Sequence, residues 1–158
     1  MRIVKGWASV PMARRTIADL LAEAREQLGH RPSPQEAHAT AAAGEAILVD
    51  VRAGDVLARD GRIPDAIHHQ RTVIEWRADP ECEWRDERIA DLDAPLILFC
   101  SQGYASSLAA QTLRELGFTR VTDMDGGFDA WKQQGLPTLP TQPGTYPREG
   151  FVPTRGRP

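Results

Sequence analysis

The chain has 158 residues, 41% hydrophobic and 26% charged, with a formal net charge of −3. That length suits one domain with a sizeable core plus extensions, and the balance is ordinary for a globular protein, with no basic excess to mark a nucleic-acid surface. No apolar run approaches the roughly 20 residues of a membrane-spanning helix, and two cysteines, Cys82 and Cys100, cannot build the framework of a disulfide-rich secreted domain. The N-terminal stretch is basic but lacks an uninterrupted apolar core, so it reads as a poor signal peptide. These features predict a reduced, cytoplasmic protein with no nucleic-acid or membrane partner.

Residues 1–15 carry no periodicity, and Met12 is a possible alternative start. Thr16 reads as the N-cap of a helix to about residue 27, with Ile17, Leu20, Leu21, Ala24 and Leu28 on one face and Gly29 as its stop. Ser33-Pro34-Gln35-Glu36 supplies an N-cap, a proline at the first helical position and a capping-box glutamate for a second helix through the alanines to Gly44. Residues 46–51 form a short apolar run typical of a strand buried on both faces. Turn chemistry at 61–65 leads into a short strand at 66–68. Residues 73–94 are polar, with scattered Trp76, Trp84 and Leu92, and predict short helices and loops.

Residues 95–99, Pro-Leu-Ile-Leu-Phe, are the clearest buried strand and run directly into Cys100. A helix pattern returns from Ser106 to Leu116 and Gly117 stops it. Residues 119–124 read as a strand, and Gly126-Gly127 turns into a short helix to about Gln134, in which Trp131 sits at helical spacing from Phe128 as a packing residue. Short apolar strands alternating with helices predict an α/β domain with a parallel sheet. Five prolines and the absence of periodicity make residues 138–158 an extended tail.

Parallel α/β sheets bind ligands beyond the carboxyl ends of their strands, where loops meet helix N-termini. Cys100 stands there, followed by Ser101, Gln102, Gly103, Tyr104 and Ala105, with Ser106 opening the helix. Gly103 allows the backbone to curl, which would turn successive amides inward as an anion-binding nest at the positive end of the helix dipole. Thiolates at helix N-termini have pKa values of roughly 3.5–7.5, against about 8.5 for a free thiol. This setting makes Cys100 a reactive thiolate rather than a small buried hydrophobe.

Four motifs carry a resemblance. Leu48-Val49-Asp50-Val51-Arg52, Gly61-Arg62-Ile63-Pro64-Asp65-Ala66-Ile67-His68, Ile97-Leu98-Phe99-Cys100 with its loop, and Gly126-Gly127-Phe128-Asp129-Ala130-Trp131 with Gly135-Leu136-Pro137 follow the order and spacing of rhodanese-like domains. The chain resembles that family over about residues 33–137, leaving residues 1–32 as an N-terminal extension with one amphipathic helix. The resemblance implies a three-layer α/β fold around a mainly parallel five-stranded sheet. It also implies a sulfurtransferase in which Cys100 takes sulfane sulfur from thiosulfate or a persulfide and passes it to a thiol, cyanide or sulfur-carrier protein, without metal or organic cofactor. A binding, sulfur-carrier or redox-sensing module without turnover is the alternative, since fold alone does not decide function.

Ala105 stands where the family often has an arginine that would bind an anionic donor. Unless Arg52, Arg62 or Arg71 reaches in from another strand end, the pocket is less cationic, which predicts thiosulfate as a poor or merely serviceable donor and a persulfide as the physiological one. Phosphatases and arsenate reductases of this fold use a loop arginine to clamp an oxyanion, and its absence argues against that chemistry. Asp65, where the family often has glycine, is tolerable in a turn. Arg52 is a candidate for shaping the pocket potential, the alternative being a structural ion pair with Asp50. His68, His69 and Cys82 lack the short spacing of a zinc site. Cys82 could resolve a species on Cys100 only if the sulfurs came within bonding distance. Ser101, Ser106 and Ser107 have no partner base at a recognisable spacing and read as hydrogen-bonding or capping groups. Tyr104 is expected at the pocket rim.

Overall fold

The computed structural model describes residues 13–141. The possible start at Met12 and residues 142–158 of the extended segment lie outside the described residues. The first helix, α1 (Ile17–Leu28), opens on the expected capping box: the Thr16 side chain accepts from the Asp19 N–H and the Asp19 carboxylate accepts from the Thr16 N–H. Ser33 and Glu36 close the same reciprocal pair around α2 (Pro34–Ala42). Each box satisfies orphan amides of a first turn. Helix α2 ends two residues short of the expected Gly44.

The sheet holds four strands: β1 (Ile47–Asp50), β2 (Ile67–His68), β3 (Leu96–Phe99) and β4 (Val121–Asp123), all parallel in the order β2-β1-β3-β4. The family resemblance implies five strands, and four form among the described residues. Arg62 and Leu139 form a single antiparallel bridge, exchanging N–H···O bonds of 2.8 Å each way. The next hydrogen-bonded rung in one direction would join Pro64 to Pro137. Neither has an N–H to donate, so the ladder stops after one rung.

Helices cover both faces. Val49, Val51, Leu96, Leu98 and Val121 face a core built with Leu28 of α1, Ile74 and Ala78 of α4 (Ile74–Ala78), and Ala109, Ala110 and Leu113 of α5 (Ala105–Glu115). Leu48, Ile97 and Phe99, alternating with them along the strands, face Ala37 of α2 and Phe128 and Trp131 of α6 (Gly127–Gln133). This period-two division of continuous apolar runs is what a parallel sheet covered on both sides requires. Helix α3 (Gly54–Asp60) was not apparent in the sequence. It has no side-chain cap and buries only Leu57, so it leaves no apolar period to read.

Residues just past Pro137 run along this edge of the domain: Leu139 pairs with Arg62, and the Thr141 hydroxyl donates to the Leu57 carbonyl. Asp65 adopts φ 62°, the one non-glycine residue at positive φ among those described. Aspartate tolerates this left-handed region better than most residues, which accounts for its standing in for glycine.

The long connection between β2 and β3 is tied down by a buried polar node. The His69 ring nitrogen Nε2 lies 2.8 Å from the Asp86 carboxylate, and Arg88 donates to both Asp86 oxygens. Burial alone would raise the Asp86 carboxyl, but the hydrogen bonds from His69 and Arg88 outweigh it and hold the group well below the usual carboxylate range. A depressed folded value stabilises the fold fully above the unfolded value near 4 and loses that contribution as pH falls below it. Asp86→Asn should therefore be clearly less stable than the parent at pH 7, with the gap narrowing between about pH 4 and 2; urea unfolding across that range measures it.

Candidate functional site

Cys100 directly follows β3 and is buried, with 9% of its surface exposed. The loop after it is shaped by where its carbonyl oxygens go. The Cys100 carbonyl accepts from the Phe128 N–H at 2.8 Å and the Ser101 carbonyl from the Asp129 N–H at 2.9 Å, so two first-turn amides of α6 are satisfied by the loop. The Gly103 carbonyl accepts from Arg25 Nη2 at 2.8 Å and Arg31 Nη2 at 3.1 Å. In a trans peptide the N–H points away from the carbonyl. Drawing these three oxygens outward turns the amides of Ser101, Gln102 and Tyr104 the other way. The Gly103 N–H completes the curl and donates to Cys100 Sγ at 3.2 Å. Helix α5 begins immediately, with no side-chain cap and no acidic residue in its first turn, and its positive end serves the same sulfur.

Two glycines make the curl possible. Gly103 sits at φ 82°, and Gly127 at φ 63° is wedged beneath the loop. A Cβ on Gly127 would stand 2.5 Å from the Cys100 carbonyl oxygen, 2.7 Å from that of Ser101 and 2.8 Å from the Gln102 nitrogen. Only glycine allows so close an approach at that φ.

A buried hydrogen-bond chain runs behind the sulfur. The thiol donates to Ser106 Oγ at 3.3 Å, and Ser106 donates in turn to Asp123 Oδ2 at 2.8 Å. Asp123, fully buried at the end of β4, also accepts from Ser107 at 2.9 Å and from Arg31 Nε and Nη2 at 2.8 and 3.1 Å. Burial alone would lower Arg31, but Asp123 outweighs it and raises the guanidinium above its ordinary value. Among the described residues, no imidazole partners the sulfur, whose hydrogen bonds are with Ser106 Oγ and the Gly103 N–H.

A cysteine at the carboxyl end of a parallel strand, curled over by its own amides and seated on a Gly-Gly turn, is the arrangement the sequence motifs anticipate. The Rhodanese-like domain family matches residues 33–134. The chain belongs to this family. Thiosulfate sulfurtransferase GlpE of Pseudomonas syringae pv. syringae (strain B728a) is 36% identical over 119 residues, covering 75% of this chain and 92% of that protein. Among solved structures, a Rhodopseudomonas palustris CGA009 protein of unknown function, described as a possible tyrosine phosphatase, aligns with a TM-score of 0.74 at 28% identity over 84% of this chain and all of that one. A human single-domain sulfurtransferase aligns with a TM-score of 0.58 at 27% identity, covering 67% of this chain and 98% of its own.

The rhodanese-like loop gathers Cys100, Ser101, Gln102, Gly103, Tyr104, Ala105 and Ser106 around one point, with Gln102, Tyr104 and Ala105 exposed and Gly103 and Ser106 buried. Arg52 is placed elsewhere. Its guanidinium is bidentate to Asp50, donates to the Gly61 carbonyl at 2.9 Å and lies 3.8 Å from the Phe128 ring centre, so it braces β1 against α6 instead of facing the loop. Arg71 pairs with Glu75 at 2.6 Å, and Arg62 forms the backbone bridge to Leu139. His68 bonds the Arg52 carbonyl and His69 bonds Asp86; no metal-holding cluster occurs among the described residues. Cys82 and Cys100 are both free thiols. Sequence reasoning missed Arg25, Arg31 and Asp123. A charged residue ending a buried strand was a legible signal for Asp123, whereas the arginines sit 72–94 residues from what they hold.

Gly127→Ala tests how tightly the loop depends on its seat. The left-handed backbone costs about 1–2 kcal/mol for a residue with a Cβ, and the contacts above force the loop to shift. The variant should lose about 2–8 °C in Tm, at roughly 2–4 °C per kcal/mol for a chain of this size, and its Cys100 should alkylate with iodoacetamide at least about tenfold more slowly (about 1.4 kcal/mol of barrier).

Proposed function

We propose that this chain is a sulfurtransferase that carries sulfane sulfur on Cys100 as a persulfide. The observation that carries the reading is the Gly103 N–H directed at Cys100 Sγ from a loop whose carbonyls are held outward. An anionic sulfur needs donors, and here backbone amides and a helix terminus supply them without a metal. The curated relatives, named thiosulfate sulfurtransferases, support the same chemistry.

In the first half-reaction the Cys100 thiolate attacks the outer sulfur of the donor. A sulfur–sulfur bond forms to Cys100, the donor's own sulfur–sulfur bond breaks, and the leaving group departs with the electron pair, as sulfite from thiosulfate or as a thiolate from a persulfide. The outer sulfur then lies over the inward amides. In the second half-reaction a nucleophilic acceptor, cyanide or a thiol, attacks that sulfur and Cys100 leaves as the thiolate. A small acceptor or the tail of a sulfur-carrier protein fits the need, since Cys100 is buried and Gln102, Tyr104 and Ala105 beside it are exposed. A reducing, cytoplasmic setting suits this use of a thiol, and the free state of both cysteines supports it.

Intact-mass measurement tests the reading. Incubation with thiosulfate or glutathione persulfide should add one sulfur (about 32 Da) to the parent, cyanide should remove it, and Cys100→Ser should gain nothing. Failure to load from any donor would sink the enzyme reading in favour of a non-turnover module. Turnover of p-nitrophenyl phosphate is expected to be absent, because the loop contains no arginine to clamp a phosphoryl group.

Ala105 sets donor preference. A charge-assisted hydrogen bond is worth roughly 1.5–3 kcal/mol, so a loop without its arginine should bind the thiosulfate dianion at least about tenfold less well than the family's usual loop (1.4 kcal/mol per decade). Steady-state kinetics should give a thiosulfate KM at least about ten times that of glutathione persulfide, and Ala105→Arg should lower it by a similar factor. A low thiosulfate KM in the parent would overturn this preference.

A further inference from the structure

Two guanidinium groups stand behind the Cys100 loop, and both come from residues before the 33–134 stretch that the family matches. Arg25, on α1, donates to the Gly103 carbonyl and to Ser107 Oγ at 3.2 Å. Arg31, between α1 and α2 and only 12% exposed, joins the same carbonyl to the fully buried Asp123. Neither touches Cys100. What they touch is what orients and charges its surroundings.

Ser106 has one hydroxyl proton. While Cys100 is a thiol, its S–H donates to Ser106 and the serine proton goes to Asp123. Once the sulfur is anionic it has nothing to donate, and the Ser106 proton is needed on the sulfur side. Asp123 can release that proton only if its charge remains satisfied by other donors, and those are Ser107 and Arg31. Without Arg31, a buried carboxylate would keep the Ser106 proton and hold a second negative charge two hydrogen bonds from the sulfur.

We propose that Arg31, with Arg25, is a positioning residue for sulfur transfer: it neutralises Asp123 so that Ser106 can donate to the anionic Cys100 sulfur, while both arginines hold the Gly103 peptide in the orientation that aims amides inward. The N-terminal extension is thereby a working part of the site, supplying from behind the loop the positive charge that Ala105 does not supply within it. The proposal rests on Cys100 being the sulfur carrier. The other charges around the loop leave this balance in place. Asp50 and Arg52 on β1 neutralise each other, Asp125 is exposed and paired with Arg31, Asp129 on α6 offers its backbone N–H to Ser101, and the first turn of α5 has no acid.

The test follows the pH–rate profile of Cys100 alkylation by iodoacetamide, read by intact mass, alongside sulfur loading from glutathione persulfide. Arg31→Gln should move the profile to higher pH by about one unit and slow alkylation at pH 7 about tenfold, the expectation for removing one compensating charge near a thiolate. Arg31→Lys should restore the rate to within about threefold, since the charge returns although the bidentate fork does not. Adding Asp123→Asn to Arg31→Gln should bring the profile back towards that of the parent, an outcome a purely structural role for Arg31 does not produce. If Arg31→Gln does not fold, Asp123→Asn alone decides, because removing the carboxylate should leave the profile unmoved or move it to lower pH. An upward shift in Asp123→Asn, or an unchanged profile in folded Arg31→Gln, overturns the proposal. If the parent alkylates but never loads sulfur, it is the sulfurtransferase reading that fails, and the two failures are thus separable.

Discussion

The carbonyl oxygens of Cys100, Ser101 and Gly103 are claimed from outside the loop, by two amides of α6 and by two arginines, and the inward orientation of the loop amides depends on those claims. A peptide cannot point its carbonyl and its N–H the same way. Fixing the oxygens outward therefore makes the inner surface of the loop a surface of donors. The Gly126-Gly127 turn serves this end mechanically: α6 must come close enough for its first amides to reach the loop, and Gly127 is where any side chain would meet three loop atoms at once.

Two buried carboxylates end the strands on either side of β3, and they are used differently. Asp50 on β1 is matched by Arg52 two residues on, and the pair is enclosed with Phe128 and the Gly61 carbonyl. A charge pair so well enclosed holds geometry, since desolvation offsets much of its attraction, and breaking it would leave an uncompensated charge between β1 and α6. Asp123 on β4 has no arginine nearby in sequence. Its partner arrives from the α1–α2 connection, and two of its donors are serines of α5 that also face the loop. That difference makes Asp123 part of the site and Asp50 part of the frame.

The sequence made the frame and the centre of the site legible for separate reasons. Capping boxes at Thr16 and Ser33 are local and were readable from four consecutive residues each. The strands were readable because a parallel sheet covered on both faces leaves continuous apolar runs, and Cys100 was readable because it ends the clearest of them. Helix α3 was not, since one buried leucine makes no period. The family resemblance implies a fifth strand that the described residues do not form, and the Arg62–Leu139 bridge does not lengthen into one, since Pro64 and Pro137 oppose each other where its next rung would be. The placement of Arg52 against Asp50 had been one of two readings, and only three-dimensional proximity to Gly61 and Phe128 separates them. Arg25 and Arg31 carry no local signature, because their meaning lies in a carbonyl more than 70 residues away.

Where the cation stands decides what it can do. An arginine at position 105 would offer its donors to whatever occupied the pocket, binding an oxyanion donor in the ground state as readily as it supported the sulfur. Arginines behind the Gly103 peptide spend their donors on the loop's own framework, on the Gly103 carbonyl, Ser107, Asp123 and Asp125. They polarise the peptide and cancel the buried carboxylate, effects that grow in value only when the sulfur becomes negative. Interactions stronger in the charged state than in the resting state lower a barrier, whereas uniform binding lowers only KM. On the proposed reading, holding a persulfide anion well and binding thiosulfate poorly would both follow from a single change in where positive charge enters the site.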